Sequence, residues 1–210
     1  SSIESTTFST DDSAGRGGDI LIEANEINIK QYSRIITGTE GEGDAGYMRL
    51  ETDELLVGGE RSSISGRTGQ EAGVDIWGQS LDWLEGTGGD VNIKASTTKL
   101  YDGGRITTQS FANGNSGNLN IDTENISIEN NSFIIASSLH DGKGGSIGII
   151  TENLSLKSNS SIESVSYGNG EAGNIRIICN SIESDNNFSL SNSFISSSSQ
   201  GHGNAGDIRL

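Results

Sequence analysis

Ala172-Gly173-Asn174-Ile175-Arg176-Ile177 is the stretch whose reading decides the fold, because it recurs. Gly18-Asp19-Ile20-Leu21-Ile22, Gly46-Tyr47-Met48-Arg49-Leu50 and Gly89-Asp90-Val91-Asn92-Ile93 are earlier copies. Gly117-Asn118-Leu119-Asn120-Ile121, Gly145-Ser146-Ile147-Gly148-Ile149 and Gly206-Asp207-Ile208-Arg209-Leu210 complete the set. The organising glycines step by 28 (18 to 46), 43 (46 to 89), 28 (89 to 117), 28 (117 to 145), 28 (145 to 173) and 33 (173 to 206). A fixed period of this kind is the signature of one supersecondary unit stacked on itself.

Working outward from each glycine, apolar residues fall two and four positions on, with a polar residue usually between them, as in Val91-Asn92-Ile93 and Ile175-Arg176-Ile177. Period-two alternation marks a strand with one face buried. A second pair recurs nine and eleven positions on: Ile27/Ile29, Leu55/Val57, Ile126/Ile128 and Leu154/Leu156, weakening to Thr98/Leu100. A third run carries Ile35, Ile64, Ile106, Ile134 or Ile162, followed two residues later in most copies by a small residue such as Thr108, Ala136 or Ser164. Phe111, Leu139 and Tyr167 then recur at one position near a corner, and Phe8 holds the matching place before the first unit.

These columns predict an all-β chain: a right-handed, single-stranded parallel β-helix with three short strands per 28-residue rung and about seven rungs, 30–35 Å long at the usual strand spacing. The +2 and +4 residues of successive rungs should stack, so that Ile121, Ile149 and Ile177 form one column. Gly-Asx pairs such as Gly117-Asn118 are expected at a corner, supplying conformational freedom and a side-chain acceptor. Residues 1–210 read as one continuous segment cut from something longer, since the chain opens inside a repeat and stops in mid-strand. Two places break the period. An insertion at about 74–88 reads as a hairpin or partial rung, and a smaller one lies at about 182–187.

Composition agrees with a solenoid. Hydrophobic residues make up 31% and aromatics 5%, thin for a compact core of 210 residues but enough for the narrow core of stacked coils. Proline is absent, which fits a backbone whose N–H groups are nearly all wanted for ladders. The net charge of −16 argues against nucleic acid and anionic membranes as partners. Cys179 has no second cysteine to pair with and reads as a small packed residue. No apolar run is long enough for a transmembrane helix.

Chemistry is sparse in the repeats. His140 and His202 lie in separate Gly-rich turns and make no catalytic set. Gly15-Arg16-Gly17-Gly18-Asp19 faintly echoes a Ca²⁺-binding nonapeptide, but a 28-residue period lacks the tandem nine-residue copies that such ion sites need. No metal, cofactor or catalytic residue is therefore assigned. The one candidate ligand surface is the first insertion. There Trp77 and Trp83 with Asp75 and Asp82, near Glu40, Glu42, Asp44 and Glu71, could line a sugar-binding groove or simply seal the flank of the rod.

The repeat Gly-x-Ala-Gly-[Asn/Asp]-Ile-x-Ile, as in 170–177 and 203–210, followed by x-Ile-x-Ile/Leu, Ser-x-Ile-x-Ser-x-Ser and Gly-x-Gly, resembles the shaft repeats of filamentous-haemagglutinin-like exoproteins. The resemblance covers nearly the whole chain apart from 74–88 and does not extend to an amino-terminal secretion domain. It implies a pectin-lyase-like β-helix, export through an outer-membrane secretion partner, and a secreted or cell-surface location on a Gram-negative bacterium. It also implies host-surface or matrix glycans as partners. The leading expectation is a structural or adhesive shaft without catalysis. The alternatives are a carbohydrate-binding or polysaccharide-degrading β-helix centred on Trp77 and Trp83, and the stalk of a contact-dependent toxin-delivery exoprotein. End-to-end self-association of the fragment is expected from rung edges left without neighbours.

Overall fold

The computed structural model describes residues 1–7, 15–40, 43–69, 86–184 and 192–210. Within them the chain is all strand and turn, with no helix. One sheet is formed by β1 (Ser2–Thr7), β3 (Arg34–Thr39), β5 (Ser63–Thr68), β7 (Arg105–Ser110), β9 (Phe133–Ser138), β12 (Ser161–Ser166) and β15 (Phe194–Ser199), stacked in that order. The other contains β2 (Ile20–Lys30), β4 (Met48–Gly58), β6 (Val91–Tyr101), β8 (Leu119–Ile128), β10 (Ile147–Ile150), β13 (Ile175–Ile178) and β16 (Ile208–Arg209). Alongside it β11 (Asn153–Leu156) pairs with β8 and with β14 (Ser181–Ser184). Every pairing is parallel.

These are the stacked coils of a β-solenoid of about 6 turns. The seven organising glycines overcount the turns, because β1 is the tail of one coil and β16 only the opening of another. Registers match the 28-residue period: Leu119 pairs with Ile147 and Ile147 with Ile175, while Ile149 pairs with both Ile121 and Ile177. The Ile121–Ile149–Ile177 column therefore stacks as expected. Met48, Leu50, Leu55, Ile64, Leu100, Ile106, Leu119 and Ile128 are fully buried, so all three apolar columns face one core. Cys179 is half-buried against it.

The strand count differs from the expectation of three per rung. In β2, β4, β6 and β8 the first two predicted strands run together as one element of 10 or 11 residues. Only later do they separate, as β10/β11 and β13/β14. The inward positions still change parity between +4 and +9, which requires a bend. It falls where the ladder skips one residue: Asn25, Asp53, Ser96 and Glu124 have no partner in register. A recurrent threonine one position earlier holds the elbow. The Thr123 hydroxyl lies 3.1 Å from the Ser96 carbonyl and 3.1 Å from that of Asn125, and Thr52 and Thr151 repeat the arrangement.

The organising glycines are needed for a reason other than conformational freedom. Positive φ among described glycines occurs at Gly59, Gly69 and Gly103, not at the organising positions. Instead, a Cβ on Gly145 would collide with the Gly117 carbonyl, and one on Gly173 with the carbonyl of Gly145. The rungs touch backbone to backbone at this corner. Serines lock it: the buried Ser164 Oγ donates to the Gly145 carbonyl (2.8 Å) and accepts from the Gly173 N–H (2.8 Å), and the half-buried Ser197 repeats this with Gly173 and Gly206. The Asx positions act as foreseen. Asn118 Oδ1 accepts from the Ser146 N–H at 3.0 Å, and Asp90, Asn174 and Asp19 serve their following rungs likewise. The left-handed conformation falls on a different corner, at pairs such as Asn130-Asn131 and Ser158-Asn159.

Candidate functional site

The carriers of the expected site, Trp77, Trp83, Asp75 and Asp82, lie outside the described residues, as do Glu42 and Glu71 and most of the 74–88 stretch. Its last residues, Gly86 to Gly88, already bond to neighbouring coils: the Thr87 N–H donates to Asp44 Oδ1 at 2.8 Å, and the Gly88 N–H to the Asn115 carbonyl at 2.8 Å. Of the smaller insertion, Ile182 to Ser184 belong to β14, and 185–187 lie outside the described residues. Asp44 is thus occupied in structure. Glu40 lies 4.0 Å from Arg67. His140 and His202 sit apart in their turns. Among the described residues no group of three or more His, Cys, Asp or Glu side chains is placed to hold a metal ion, and no helix is long and apolar enough to cross a membrane.

The chain shortly before the insertion leads to a definite place. Gly69 follows β5 and packs on Phe111. Phe111 borders a groove of about 290 Å³ on the outer face of the first sheet. Strand pairing builds it in columns. Arg34, Ser63, Arg105 and Phe133 are in register along one side; Ile36, Ser65, Thr107 and Ile135 form the floor; Arg67 and Gln109 follow on the other side. Arg61 and the rings of Phe111 and Tyr167 complete the lining.

The floor is closed and internally bonded. Ile36 and Thr107 are 2% and 4% exposed, which makes this outward face unusually dry for a surface. Thr107 Oγ1 donates to Ser65 Oγ at 3.0 Å, and Gln109 Nε2 donates to Ser137 Oγ at 3.2 Å. Above that floor the guanidinium of Arg105 stacks on the Phe133 ring at 4.8 Å, a geometry that attracts a cation to the ring face. Its Nε–H is buried and has no hydrogen-bond acceptor. Burial pushes the Tyr167 phenol above the ordinary tyrosine value, with the charge of Glu163 adding to the effect.

A more open groove of about 430 Å³ runs over the second sheet, lined by Arg49, Glu51, Lys94, Asp122 and Arg176. There the charges answer one another. The Arg49 guanidinium, by hydrogen bond and by charge, holds the Glu51 carboxyl below the usual range. Elsewhere on the rod, Lys143 lowers Glu171 and Lys157 lowers Glu183 in the same way, both by hydrogen bonding first. The first-sheet groove is the one that gathers basic groups: Arg34, Arg61, Arg67 and Arg105 are four of 13 in a chain of net charge −16. Acids border it: Glu4 and Glu163 are in register with the two ends of the floor column, Ile36 and Ile135, and Glu40 lies 4.0 Å from Arg67.

The groove is hard to see in the sequence, where the buried isoleucine of each third strand stands out and its outward neighbours do not. The signal was present: aligning Arg34-Ile35, Ser63-Ile64 and Arg105-Ile106 puts two arginines in one column. Comparison with family models, with curated proteins and with solved structures finds no match to this chain.

Proposed function

We propose that the chain is a shaft segment of a secreted, cell-surface exoprotein of the filamentous-haemagglutinin-like kind, adhesive and without a catalytic group of its own. On this reading the solenoid is right-handed with three short strands per turn in the pectin-lyase-like manner, the long strands being two that run through their elbow. Export passes through an outer-membrane secretion partner of a Gram-negative bacterium, and the exposed shaft meets glycans of a host surface or matrix. The observation that supports it is the use of the recurrent residues: glycine, Asx, serine and threonine columns are all engaged in joining one rung to the next. Such a molecule is built to hold length, and each coil needs its neighbour for its ladder.

Antibodies raised against this chain should label intact cells of the source organism. Deleting the outer-membrane secretion partner that this reading requires should abolish that label. Label that appears only after lysis, or that survives the deletion unchanged, would refute the proposal. A carbohydrate-binding β-helix near the Trp77/Trp83 insertion is the second reading, favoured by the arginine- and aromatic-lined groove whose Phe111 packs on Gly69, a few residues before that insertion.

A further inference from the structure

We propose that the outer face of the second sheet pairs with the same face of a second copy of this chain, two solenoids side by side and running in the same direction. The inference goes beyond the shaft reading. It rests on the solenoid alone and needs neither the export route nor the insertion.

The face consists of two outward columns with a trough between them. Arg49, Asn92, Asn120, Gly148, Arg176 and Arg209 are in register in one column, and Glu51, Lys94, Asp122, Ile150 and Ile178 in the other. The buried Ile93, Ile121 and Ile149 lie between them and floor the trough of about 430 Å³. Charge is sorted by column. The charged residues of the first are arginines, and those of the second are Glu23, Glu51 and Asp122 with Lys94.

A two-fold axis laid along the trough exchanges the columns and keeps each coil opposite its equivalent. Arg49 then faces the partner's Glu51, and Glu51 the partner's Arg49. Asn120 spends one amide hydrogen on Asn92 Oδ1, 3.1 Å away, and the partner's Asp122 stands opposite to accept the other. In the next coil Gly148 faces the partner's Ile150. Beyond its chain neighbours, a Cβ on Gly148 would meet only the Asn120 amide within 4 Å. The position is an open notch, and Ile150, 54% exposed, is the knob that fits it. In the coil after that, the apolar stem of Arg176 covers the partner's exposed Ile178. Symmetry makes each of these contacts twice.

Charge also decides the partner and its direction. At −16 per chain two copies repel over most of their surface, so only a face of balanced sign can bring them together. The flanking Asp19 and Asp90 carboxylates are engaged with N–H groups of the next coil. Beyond the elbow the coil bends round its core, which takes Asp53 and Glu124 off the plane of the face. Opposite directions would set each column on itself. Centred on Asn120, that arrangement places Arg49 on the partner's Arg176 and Asp122 on the partner's Asp122, like against like. Seven coils at 4.8 Å and five strand residues at 3.4 Å give a face of about 29 Å by about 17 Å. That is about 500 Å² per copy and about 1,000 Å² for the pair, the lower bound of a specific interface. The dimer is therefore reversible and dissociates in the micromolar range.

Sedimentation equilibrium of the whole 210-residue chain tests this, with spin labels for direction. A monomer–dimer equilibrium should appear. Ile150→Arg and Gly148→Val, which alter the knob and the notch, should each weaken it about tenfold or more. The unfolding midpoint of Ile150→Arg in dilute monomer should stay at the wild-type value. Arg49→Glu should also weaken the dimer, and adding Glu51→Arg should restore it, since opposite charges again face one another. Phe194→Arg replaces an exposed side chain on the other sheet and should change nothing. In a Cys179→Ser background, single labels at Asn28 and at Ser155, four coils apart in one column, should give one and the same distance between copies. Mixing the two labelled chains should give a longer one. A chain still monomeric at a concentration on the order of 1 mM would overturn the proposal. So would growth beyond the dimer, a Phe194→Arg effect equal to that of Ile150→Arg, or a charge swap that restores nothing. Single-label distances that differ, or a mixed distance shorter than either, would overturn the shared direction.

Discussion

Replacing Gly145 with alanine puts the close-approach argument at risk. The added Cβ would lie against the Gly117 carbonyl oxygen, with its carbon at 2.8 Å and Ser116 Oγ at 3.1 Å. The first two are backbone, so no rotamer change relieves them. Overpacking of this kind costs about 1–3 kcal/mol. Relief by parting the rungs stretches the bond from the Ser146 N–H to Asn118 Oδ1 and that from the Ser116 N–H to the Lys143 carbonyl, at about 1 kcal/mol each. The expected loss is therefore about 3–5 kcal/mol. Two other glycines separate sterics from conformation. Gly103 has φ +83° and open space around its Cβ position, so Gly103→Ala should cost about 1–2 kcal/mol for the left-handed backbone alone. Gly15 has open space and no positive φ, so Gly15→Ala should be neutral or slightly stabilising through the unfolded chain. Urea unfolding followed by far-ultraviolet dichroism, with slopes compared between variants, measures all three. A Gly145→Ala loss no larger than that of Gly103→Ala would refute the claim that rungs meet backbone to backbone at this corner.

Removing the hydroxyl in Ser164→Ala leaves the Gly173 N–H without its acceptor, and should cost about 1–3 kcal/mol in the same assay. Ile149→Ala empties a fully buried place between Ile121 and Ile177 and should cost about 2–5 kcal/mol. Tyr167 is raised by burial and then by Glu163, so phenolate absorbance should show it titrating later than a free tyrosine, and Tyr167→Phe should remove that late component. The sign for stability follows: the native state keeps this proton after the unfolded chain has lost it, so the contribution is complete below the ordinary tyrosine pKa and is lost as pH rises through the higher folded value. An unfolding midpoint of Tyr167→Phe that falls with alkaline pH as steeply as wild type would contradict that assignment.

Much of the solenoid is legible because its period is written twice, in the spacing of the glycines and in the parity of the isoleucines. Ile121, Ile149 and Ile177 could be stacked from the page, and so could the Asn118 acceptor. The running together of two strands could not, since a one-residue skip at Asn25 or Glu124 leaves the apolar pattern untouched. The role of glycine differs from the expected one for a related reason. A lone sequence shows that a side chain is absent at Gly145, but only the neighbouring rung shows that the Gly117 carbonyl fills its place. The groove escaped notice because arginine on an outward strand face is ordinary. Arg34 and Arg105 become a column only when their strands are paired through β5, across the interrupted period.

The central claim is the in-register parallel stack, and spin-label distances test it most directly. In a Cys179→Ser background, labels replace Asn92 and Arg176 in one variant and Arg49 and Arg209 in another. These residues share one outward column, three and five coils apart. The stack predicts backbone separations of about 14 Å and about 24 Å, rising by about 4.8 Å per coil. Distances that do not rise with the number of coils, or that exceed these by more than the reach of the labels, would contradict it.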